Sequence, residues 1–256
     1  MGKFSFLVTD FFKRSLRLMY AFLKGGNTCV ICGKKTKLYL LCDSCFKQNF
    51  GVEKILSVKR CGVCGKELVT DEELCVECQE KPVLHHLDKM IPMCSYRLWN
   101  KELLFLWKMQ SIRSMSRLFA KAVRDLLLKL GIKVIVPVPP RPGKIKENGW
   151  DQIDELCNYL RYEFGFCVLN LLVRKTAEQQ KKLNREERLN SIGKAYTLCD
   201  EKTRFKVLKS YGSKIPDEVC LIDDVSTTGA TLESCSKILK DMGVQRVLAV
   251  SLFIVD

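Results

Sequence analysis

The sequence lacks a hydrophobic run long enough to cross a membrane. No stretch reaches the roughly 18 uninterrupted apolar residues that indicate a spanning helix. The first residues also lack the charged segment and small-residue cleavage site of a secretory signal. We therefore expect a cytoplasmic protein without a membrane span.

Two common phosphate-binding signatures are absent as well. The chain contains no G-x-x-x-x-G-K-[ST] sequence, which argues against a P-loop nucleotide-binding protein, and no G-x-G-x-x-G follows a predicted strand, which argues against a dinucleotide fold. The chain begins Met1-Gly2-Lys3, without an N-terminal catalytic cysteine. We therefore expect no glutamine-dependent amidotransferase.

Acidic residues are scarce relative to basic ones. The chain has 43 lysines and arginines against 29 aspartates and glutamates, for a formal net charge of +14. This excess favours polyanionic partners such as nucleic acid, anionic lipid or phosphorylated metabolites, without choosing among them. If eight cysteines bind two Zn²⁺ ions as thiolates, the charge falls to about +10.

Cysteine, by contrast, is abundant, with 14 residues. Without a secretory signal, metal binding fits them better than disulfides do. Residues 29–45 and 61–78 repeat one unit, in which two Cys-x-x-Cys pairs are separated by nine or ten residues and the first pair runs into Gly-Lys. Two intervening residues let both thiolates reach one ion, and the glycine lets the backbone bend around it. We predict two structural Zn²⁺ sites in a double zinc ribbon, with the ligands Cys29, Cys32, Cys42 and Cys45, and Cys61, Cys64, Cys75 and Cys78.

Alternatives remain at these cysteines. They could form redox-active dithiols or an iron–sulfur cluster, and the ligands of the two sites could interleave. We expect the only two histidines, His85 and His86, to be non-ligands, and the six other cysteines to lie in or near the core. Near the repeat, we expect aromatic side chains to form the core of the small modules, with stacking on bases as the alternative; they are Tyr39, Phe46 and Phe50.

The chain divides into three predicted parts. Residues 1–27 have apolar side chains at helical spacing and predict an amphipathic helix, which we expect to pack on the protein's own body, although a membrane-surface helix is conceivable. Residues 28–84 form the double ribbon. Residues 85–256 alternate predicted helices and apolar strands, the pattern of a parallel α/β sheet covered on both faces. The predicted strands are 134–138, 168–173, 219–222 and 246–255, and a basic loop follows the second.

The segment from Val219 to Glu233 carries the clearest chemistry. A buried strand ends in Asp223 and Asp224, whose carboxylates suit the vicinal hydroxyls of a sugar. The turn after them opens a helix, and its backbone N–H groups and hydroxyls suit a phosphate dianion. A ribose 5-phosphate satisfies both. The predicted binding residues are Asp223, Asp224, Val225, Ser226, Thr227, Thr228, Gly229, Ala230 and Thr231.

This segment resembles the 5-phosphoribosyl-1-pyrophosphate (PRPP) motif of type I phosphoribosyltransferases. The wider chain resembles the ComF family of competence-associated proteins, in which a double zinc ribbon precedes such a domain. The similarity extends to Val136-Pro137-Val138-Pro139, to Asn148-Gly149-Trp150-Asp151-Gln152, to Trp107-Lys108 and to the stretch from Arg174 to Tyr196. Arg141 stands where the family commonly has histidine, and Asp151 where it has asparagine.

The resemblance implies a type I phosphoribosyltransferase fold, a parallel sheet flanked by helices, that binds PRPP with Mg²⁺. The turn containing Pro139, Pro140 and Arg141 would hold pyrophosphate, and the basic loop from Arg174 to Arg188 would close over it, unless that loop is simply a solvated charge run. The implied catalytic residues are Asp223, Asp224, Lys108, Arg174 and Arg188.

Two functions compete at this point. One is transfer of a phosphoribosyl group to an acceptor that the sequence does not identify, in a protein linked to natural competence and DNA uptake. The other is a non-catalytic adaptor in transformation that binds single-stranded DNA, uses the cleft as a PRPP sensor or retains it as a vestige, and contacts other competence proteins. The excess of basic residues permits the second function.

Overall fold

The computed structural model describes residues 3–23, 27–37, 39–80, 82, 84–175 and 195–255. The N-terminal third begins with a helix of 21 residues, α1 (Lys3–Leu23). Short elements around the cysteines follow: strands β1 (Asn27–Thr28) and β2 (Lys35–Thr36), and helices α2 (Asp43–Phe50), α3 (Val52–Ser57) and α4 (Val76–Glu80). Among the described residues, no helix is both long and apolar enough to cross a bilayer.

The remaining elements alternate strands and helices. In chain order they are β3 (Lys89–Ser95), α5 (Trp99–Lys108), α6 (Ser114–Leu130), β4 (Val134–Pro137), α7 (Lys144–Asn148), α8 (Gln152–Tyr162), β5 (Cys167–Val168), β6 (Leu172–Arg174), β7 (Tyr196–Leu198), α9 (Glu201–Lys209), β8 (Glu218–Ser226), α10 (Ala230–Asp241) and β9 (Arg246–Ile254).

Five strands form one parallel sheet in the order β3-β9-β8-β4-β5. Successive side chains of its central strands point to opposite faces: on β8, Cys220 and Ile222 join a cluster with α6 and α8, whereas Val219 and Leu221 join a cluster with α10. Helices therefore cover both faces. The predicted α/β fold, a parallel sheet flanked by helices, is confirmed.

Two strand predictions were incomplete. The predicted strand at 168–173 is wrong, since Val168 ends β5 in the main sheet while Leu172 begins β6, which pairs antiparallel with β7. Strand β3 was missed, because Pro92 interrupts its apolar run. Proline lacks the N–H that a central strand needs, but β3 lies at the sheet edge, where proline is tolerated.

Helix α9 was also missed. Its first turn is capped by Asp200, whose carboxylate accepts from the Thr203 backbone N–H at 2.9 Å and from the Thr203 hydroxyl at 2.6 Å. An aspartate before a polar run is a sequence signal for such a cap. However, the helix buries none of its side chains, so its sequence lacks the apolar periodicity from which helices are usually predicted.

The eight paired cysteines form two groups in chain order. Within each group, Cys29, Cys32, Cys42 and Cys45 or Cys61, Cys64, Cys75 and Cys78, all sulfur atoms lie within 4.8 Å of one another. The Cys32 and Cys42 sulfurs are 3.7 Å apart and those of Cys64 and Cys75 are 3.6 Å apart, close to the roughly 3.8 Å edge of a tetrahedron with Zn–S bonds of about 2.3 Å. Each group could hold one structural Zn²⁺, and the interleaved pairing does not occur.

Backbone amides support the first cysteine group. Burial alone would raise the pKa of the Cys29 thiol, but hydrogen bonds from the backbones of Cys42, Cys32 and Ile31 lower it to about 6. Amide N–H groups directed at a sulfur favour the thiolate, which is the form that binds metal. The local backbone therefore prepares this group for a cation.

The first cysteine group shares its core with the α/β body. Phe46 and Phe50 are 7% and 1% exposed. The Phe50 ring lies 5.4 Å from that of Phe119 on α6 and 6.4 Å from that of Phe253 on β9, centroid to centroid. Both rings are thus closed to stacking on bases and belong to a core, as expected, but that core is shared with the α/β body. The boundary near residue 84 stays a prediction.

We predict that zinc removal destabilises the whole protein, because the first ribbon holds Phe46 and Phe50 in the shared core. Burying two phenylalanines contributes about 3–6 kcal/mol. Freshly purified protein should contain two zinc ions per chain by mass spectrometry, and Cys45→Ser should contain one and melt at a lower temperature in differential scanning calorimetry. Cys167→Ser, at a cysteine outside both groups, is the control. Protein without zinc, or an unchanged melting temperature for Cys45→Ser, would contradict this account.

Candidate functional site

A cleft of about 460 Å³ opens at the carboxyl ends of β4 and β8. These strands are parallel neighbours, with Pro137 paired to Ile222, so the loops after them meet at one edge of the sheet. The Val138 N–H also donates to the Ile222 carbonyl at 3.0 Å, which fixes the proline turn beside the acid pair. The predicted site residues that line the cleft are Lys108, Pro139, Pro140, Arg141, Arg174, and all residues from Asp223 to Thr231.

The structure therefore brings together the described residues of the predicted catalytic and binding sets. Lys175, predicted for the closing loop, is exposed and is not among the residues that line the cleft. Arg188 lies outside the described residues, as do the other basic residues predicted for the closing loop beyond Lys175, which are Lys181, Lys182 and Arg185. Their role stays a prediction.

The turn after β8 is shaped for an anion. Gly229 precedes α10 with φ of 77°, a left-handed conformation that favours glycine, and a Cβ there would lie 2.9 Å from Leu84 Cδ2. Gly229, at the N-cap position of α10, supplies no side-chain cap, and the Ala230 N–H makes one long contact, with Thr228 Oγ1 at 3.4 Å. The positive end of the helix dipole therefore favours an anion at this turn. Thr227 and Thr231 line the same wall of the cleft.

The two acids have different surroundings. Asp224 is 7% exposed, and its Oδ2 accepts from Lys108 Nζ and from Gln152 Nε2, both at 2.6 Å. Its Oδ1 accepts from the Val225 N–H at 2.8 Å. Asp223 accepts from the Asp224 N–H at 2.8 Å through Oδ1 and lies without a cationic partner within ion-pair distance among the described residues.

These surroundings shift the pKa values of the two carboxyl groups in opposite directions. Burial, and next the charge of Asp224, raise the pKa of Asp223 from 3.8 to about 8. Burial would raise the pKa of Asp224 too, but the Lys108 ammonium and the hydrogen bond from Gln152 hold it below its ordinary value. Burial and charge therefore shift the two pKa values in opposite directions, so that Asp224 favours the ionised form and Asp223 the protonated form.

A second polar group supports the Asp224 network and was missed by the sequence reasoning. Asp151 caps α8, because its Oδ1 accepts from the backbone N–H groups of Ile153 at 2.9 Å and Asp154 at 3.0 Å. Its Oδ2 accepts from Lys144 Nζ at 2.5 Å, and Lys144 also donates to the Gln152 side-chain oxygen. Asp151, Lys144 and Gln152 all line the cleft. Only the capping role of Asp151 has a sequence signal, an aspartate directly before a helix.

Strands β6 and β7 also contribute to the cleft lining, through Arg174 and Tyr196. The Arg174 guanidinium lies 5.6 Å from the centre of the Tyr196 ring, and these residues pair across the two strands. Burial raises the pKa of Tyr196 to about 12, so its hydroxyl stays protonated and available as a donor. Arg141, another lining residue, donates through Nη1 to Glu147 Oε1 at 3.0 Å.

Residues 84–87, which follow the second cysteine group, contact the turn between β8 and α10, which we call the anion turn. The Glu233 carboxylate, on the first turn of α10, accepts from the His86 N–H at 3.0 Å and the Leu87 N–H at 3.3 Å, and it lies 2.6 Å from His86 Nδ1. Leu84 packs against Gly229. Among the described residues, the two groups that could hold a metal ion contain neither His85 nor His86.

Two known proteins are similar to this chain along most of its length. The chain is 30% identical to Competence protein F of Haemophilus influenzae over 217 residues, which cover 81% of this chain and 87% of that protein. The chain belongs to the ComF family. It is also 25% identical to Competence protein ComFC of Streptococcus pneumoniae over 243 residues, covering 88% of this chain and 98% of that ComF relative. No protein-family model matches the sequence.

The raised pKa of Asp223 predicts a pH-dependent cost in stability. Between pH 3.8 and about 8 the folded protein keeps a proton that the unfolded chain has lost, so the free energy of unfolding falls as pH rises and levels off above about 8. Asp223→Asn removes the titrating group. Its melting temperature should exceed that of the wild type above pH 8, by roughly 2–4 °C per kcal/mol, and the difference should shrink toward pH 4. Asp241→Asn, at the far end of α10, is the control, and parallel curves for wild type and Asp223→Asn would refute the assignment.

Proposed function

We propose that the cleft binds PRPP with Mg²⁺ and that the protein transfers the phosphoribosyl group to an acceptor in a process linked to natural competence and DNA uptake. One observation carries this proposal: the acid pair, the anion turn and the proline–arginine turn line a single cleft. The names of both relatives, which are competence proteins, support the link to competence.

For each part of PRPP, the cleft offers residues of suitable chemistry. The backbone N–H groups from Thr227 to Thr231 would bind the 5-phosphate, and Asp223 and Asp224 would accept hydrogen bonds from the ribose hydroxyls. The turn at Pro139, Pro140 and Arg141 would bind the pyrophosphate. The described part of the cleft contains four cationic side chains for these groups: Lys108, Arg141, Lys144 and Arg174.

The residues present also fit a magnesium ion. Mg²⁺ usually keeps several waters and takes one or two carboxylates together with substrate phosphate oxygens, and the cleft offers the Asp223 carboxyl group beside the space for the pyrophosphate. When bound, the ion would neutralise charge on the pyrophosphate.

The chain's own residues would orient the ribose and stabilise the leaving group. The bond between the anomeric carbon and the pyrophosphate oxygen breaks, and its electron pair leaves with the pyrophosphate. The acceptor nucleophile donates the electron pair of the new bond to that carbon. Arg141 and Arg174, which both line the cleft, would stabilise the departing negative charge. Asp224, held by Lys108 and Gln152, would keep the sugar in place without reorganisation.

The wider organisation completes the proposal. We assign residues 1–27 to the N-terminal helix, 28–84 to the double zinc ribbon and 85–256 to the PRPP-binding domain. None of the 14 cysteines, all of which are among the described residues, forms a disulfide, which is consistent with work in the reducing cytoplasm. The zinc ions would be structural, because four cysteines leave no open coordination position for a substrate.

PRPP with Mg²⁺ should raise the melting temperature of the wild-type protein. At a ligand concentration 100-fold above Kd the stabilisation is about 2.7 kcal/mol. Asp223→Asn and Thr231→Val should shift much less, because each removes a ligand contact at the surface of the cleft and leaves the Asp224 network intact. Asp241→Asn should respond like the wild type. Equal shifts in all four proteins would remove the claim for the cleft, and release of pyrophosphate in the presence of candidate amines or bases would separate an enzyme from a PRPP binder.

A second candidate function is binding of single-stranded DNA. Beyond the net charge of +14, the specific observation is on α5, where Phe105 is 50% exposed and lies one turn from both Lys101 and Lys108. An exposed ring between lysines suits a stacked base and its phosphates. Lys108 also lines the cleft, so this surface lies at the cleft rim.

If α5 binds single strands, affinity should fall steeply as salt rises, because bound lysines release counterions. Phe105→Ala should weaken binding by about tenfold, the loss expected for one stacked base. Phe205→Ala is a matched control, since this ring on α9 is 65% exposed and also has basic neighbours. Fluorescence anisotropy with labelled oligonucleotides measures all three, and a flat salt response would end this hypothesis.

A further inference from the structure

Lys144 and Asp151 form an ion pair in the wall of the cleft. Lys144 Nζ donates to Asp151 Oδ2 at 2.5 Å, and the two side chains are 17% and 3% exposed. Both residues line the cleft. Because little solvent reaches the pair, the carboxylate cancels much of the charge that the ammonium would otherwise offer to an anion in the cleft.

Lys144 belongs to the turn at which the pyrophosphate is proposed to bind. Its backbone N–H donates to the Arg141 carbonyl at 3.2 Å, directly after the segment from Pro139 to Arg141. The Arg141 side chain is also paired, with Glu147, but these side chains are 29% and 52% exposed, so solvent screens their interaction. Lys144 is therefore the cation of this turn whose charge depends more on its partner.

Asp151 uses separate oxygens for its two roles. Its Oδ1 accepts from the Ile153 and Asp154 N–H groups and caps α8, whereas Oδ2 accepts from Lys144. Asparagine caps helices about as well as aspartate does. With its one oxygen in the cap, the new side chain of Asp151→Asn would present an NH₂ group, which is a donor, to Lys144. This substitution thus removes the counter-charge of Lys144 and keeps the helix cap.

The second contact of Lys144 links it to the ribose-binding acid. Lys144 Nζ donates to Gln152 Oε1 at 2.5 Å, while Gln152 Nε2 donates to Asp224. An ammonium group has three N–H donors, so these contacts and the Asp151 contact leave one for a ligand oxygen. A pyrophosphate group could therefore bind Lys144 without breaking the Gln152 contact, and Asp151 would be its competitor for the charge.

We propose that Asp151 limits the affinity of the cleft for pyrophosphate by neutralising Lys144. This inference rests on the proposed function, because it takes the pyrophosphate to lie at the turn from Pro139 to Arg141. The anion meets a cation that is already balanced, and it gains less than it would from a free ammonium. Differences in affinity lie mostly in the dissociation rate, so Asp151 speeds the release of pyrophosphate. Asp151 is a positioning residue that acts through Lys144.

Isothermal titration calorimetry with three probes in the presence of Mg²⁺ tests the proposal. The probes are inorganic pyrophosphate, PRPP and ribose 5-phosphate. Asp151→Asn should bind pyrophosphate and PRPP at least about threefold more tightly than the wild type. Ribose 5-phosphate lacks the pyrophosphate group, so it should bind both proteins equally.

Matched variants separate the role of Lys144 from a general effect of charge. Asp154→Asn removes the same charge from the same helix at a residue that is not among those lining the cleft, and it should bind all three probes like the wild type. Lys144→Gln keeps a donor for Asp151 without the charge, so it should bind pyrophosphate more weakly, and adding Asp151→Asn to it should give no gain. Lys144→Arg keeps the charge and should preserve the gain.

The outcomes distinguish this inference from the proposed function. Equal pyrophosphate affinities of wild type and Asp151→Asn would overturn the inference. So would a gain that extends to ribose 5-phosphate or persists beside Lys144→Gln, because Asp151 would then not act through Lys144. Each of these results leaves the cleft a PRPP site. Wild-type protein that binds none of the probes would instead overturn the proposed function, and the inference with it.

Discussion

The carboxylate of Asp224 is the contact on which the cleft depends. It joins the end of β8 to Lys108 at the end of α5 and to Gln152 at the start of α8, at 2.6 Å from each. A buried carboxylate is stable only with such partners, although solvent screens the partly exposed Lys108 ammonium and weakens its contribution. The elements that carry the acid pair, the basic rim and the capped α8 helix are thereby fixed relative to one another before any ligand binds.

Topology explains why these groups meet. In a parallel sheet the carboxyl ends of β4 and β8 lie side by side, so a proline turn and an acid pair that are far apart in the chain share one cleft. The α/β body anchors the cysteine-rich segment, since Phe50 packs between α6 and β9. Residues 84–87, which follow that segment, contact the anion turn: Leu84 packs against Gly229, and the His86 N–H donates to Glu233 on α10. The metal-binding modules therefore belong to the same packed structure as the cleft.

Local patterns in the sequence predicted the features that are local in structure. The cysteine spacing identified both four-sulfur groups, and the run from Val219 to Glu233 identified the acid pair and its turn. Long-range contacts had no such signal: Lys108 and Asp224 are 116 residues apart, and the Lys144 contacts depend on how α7 folds back onto α8. Strand β3 was hidden because Pro92 is excluded from central strands but not from an edge.

The most direct test of the central claim is a crystal structure of the protein with PRPP and Mg²⁺. We predict the 5-phosphate at the backbone N–H groups of Thr227 to Thr231, the ribose hydroxyls at Asp223 and Asp224, and the pyrophosphate beside Pro139 to Arg141. A cleft that stays empty at saturating PRPP, or a ligand bound elsewhere on the protein, would contradict the account.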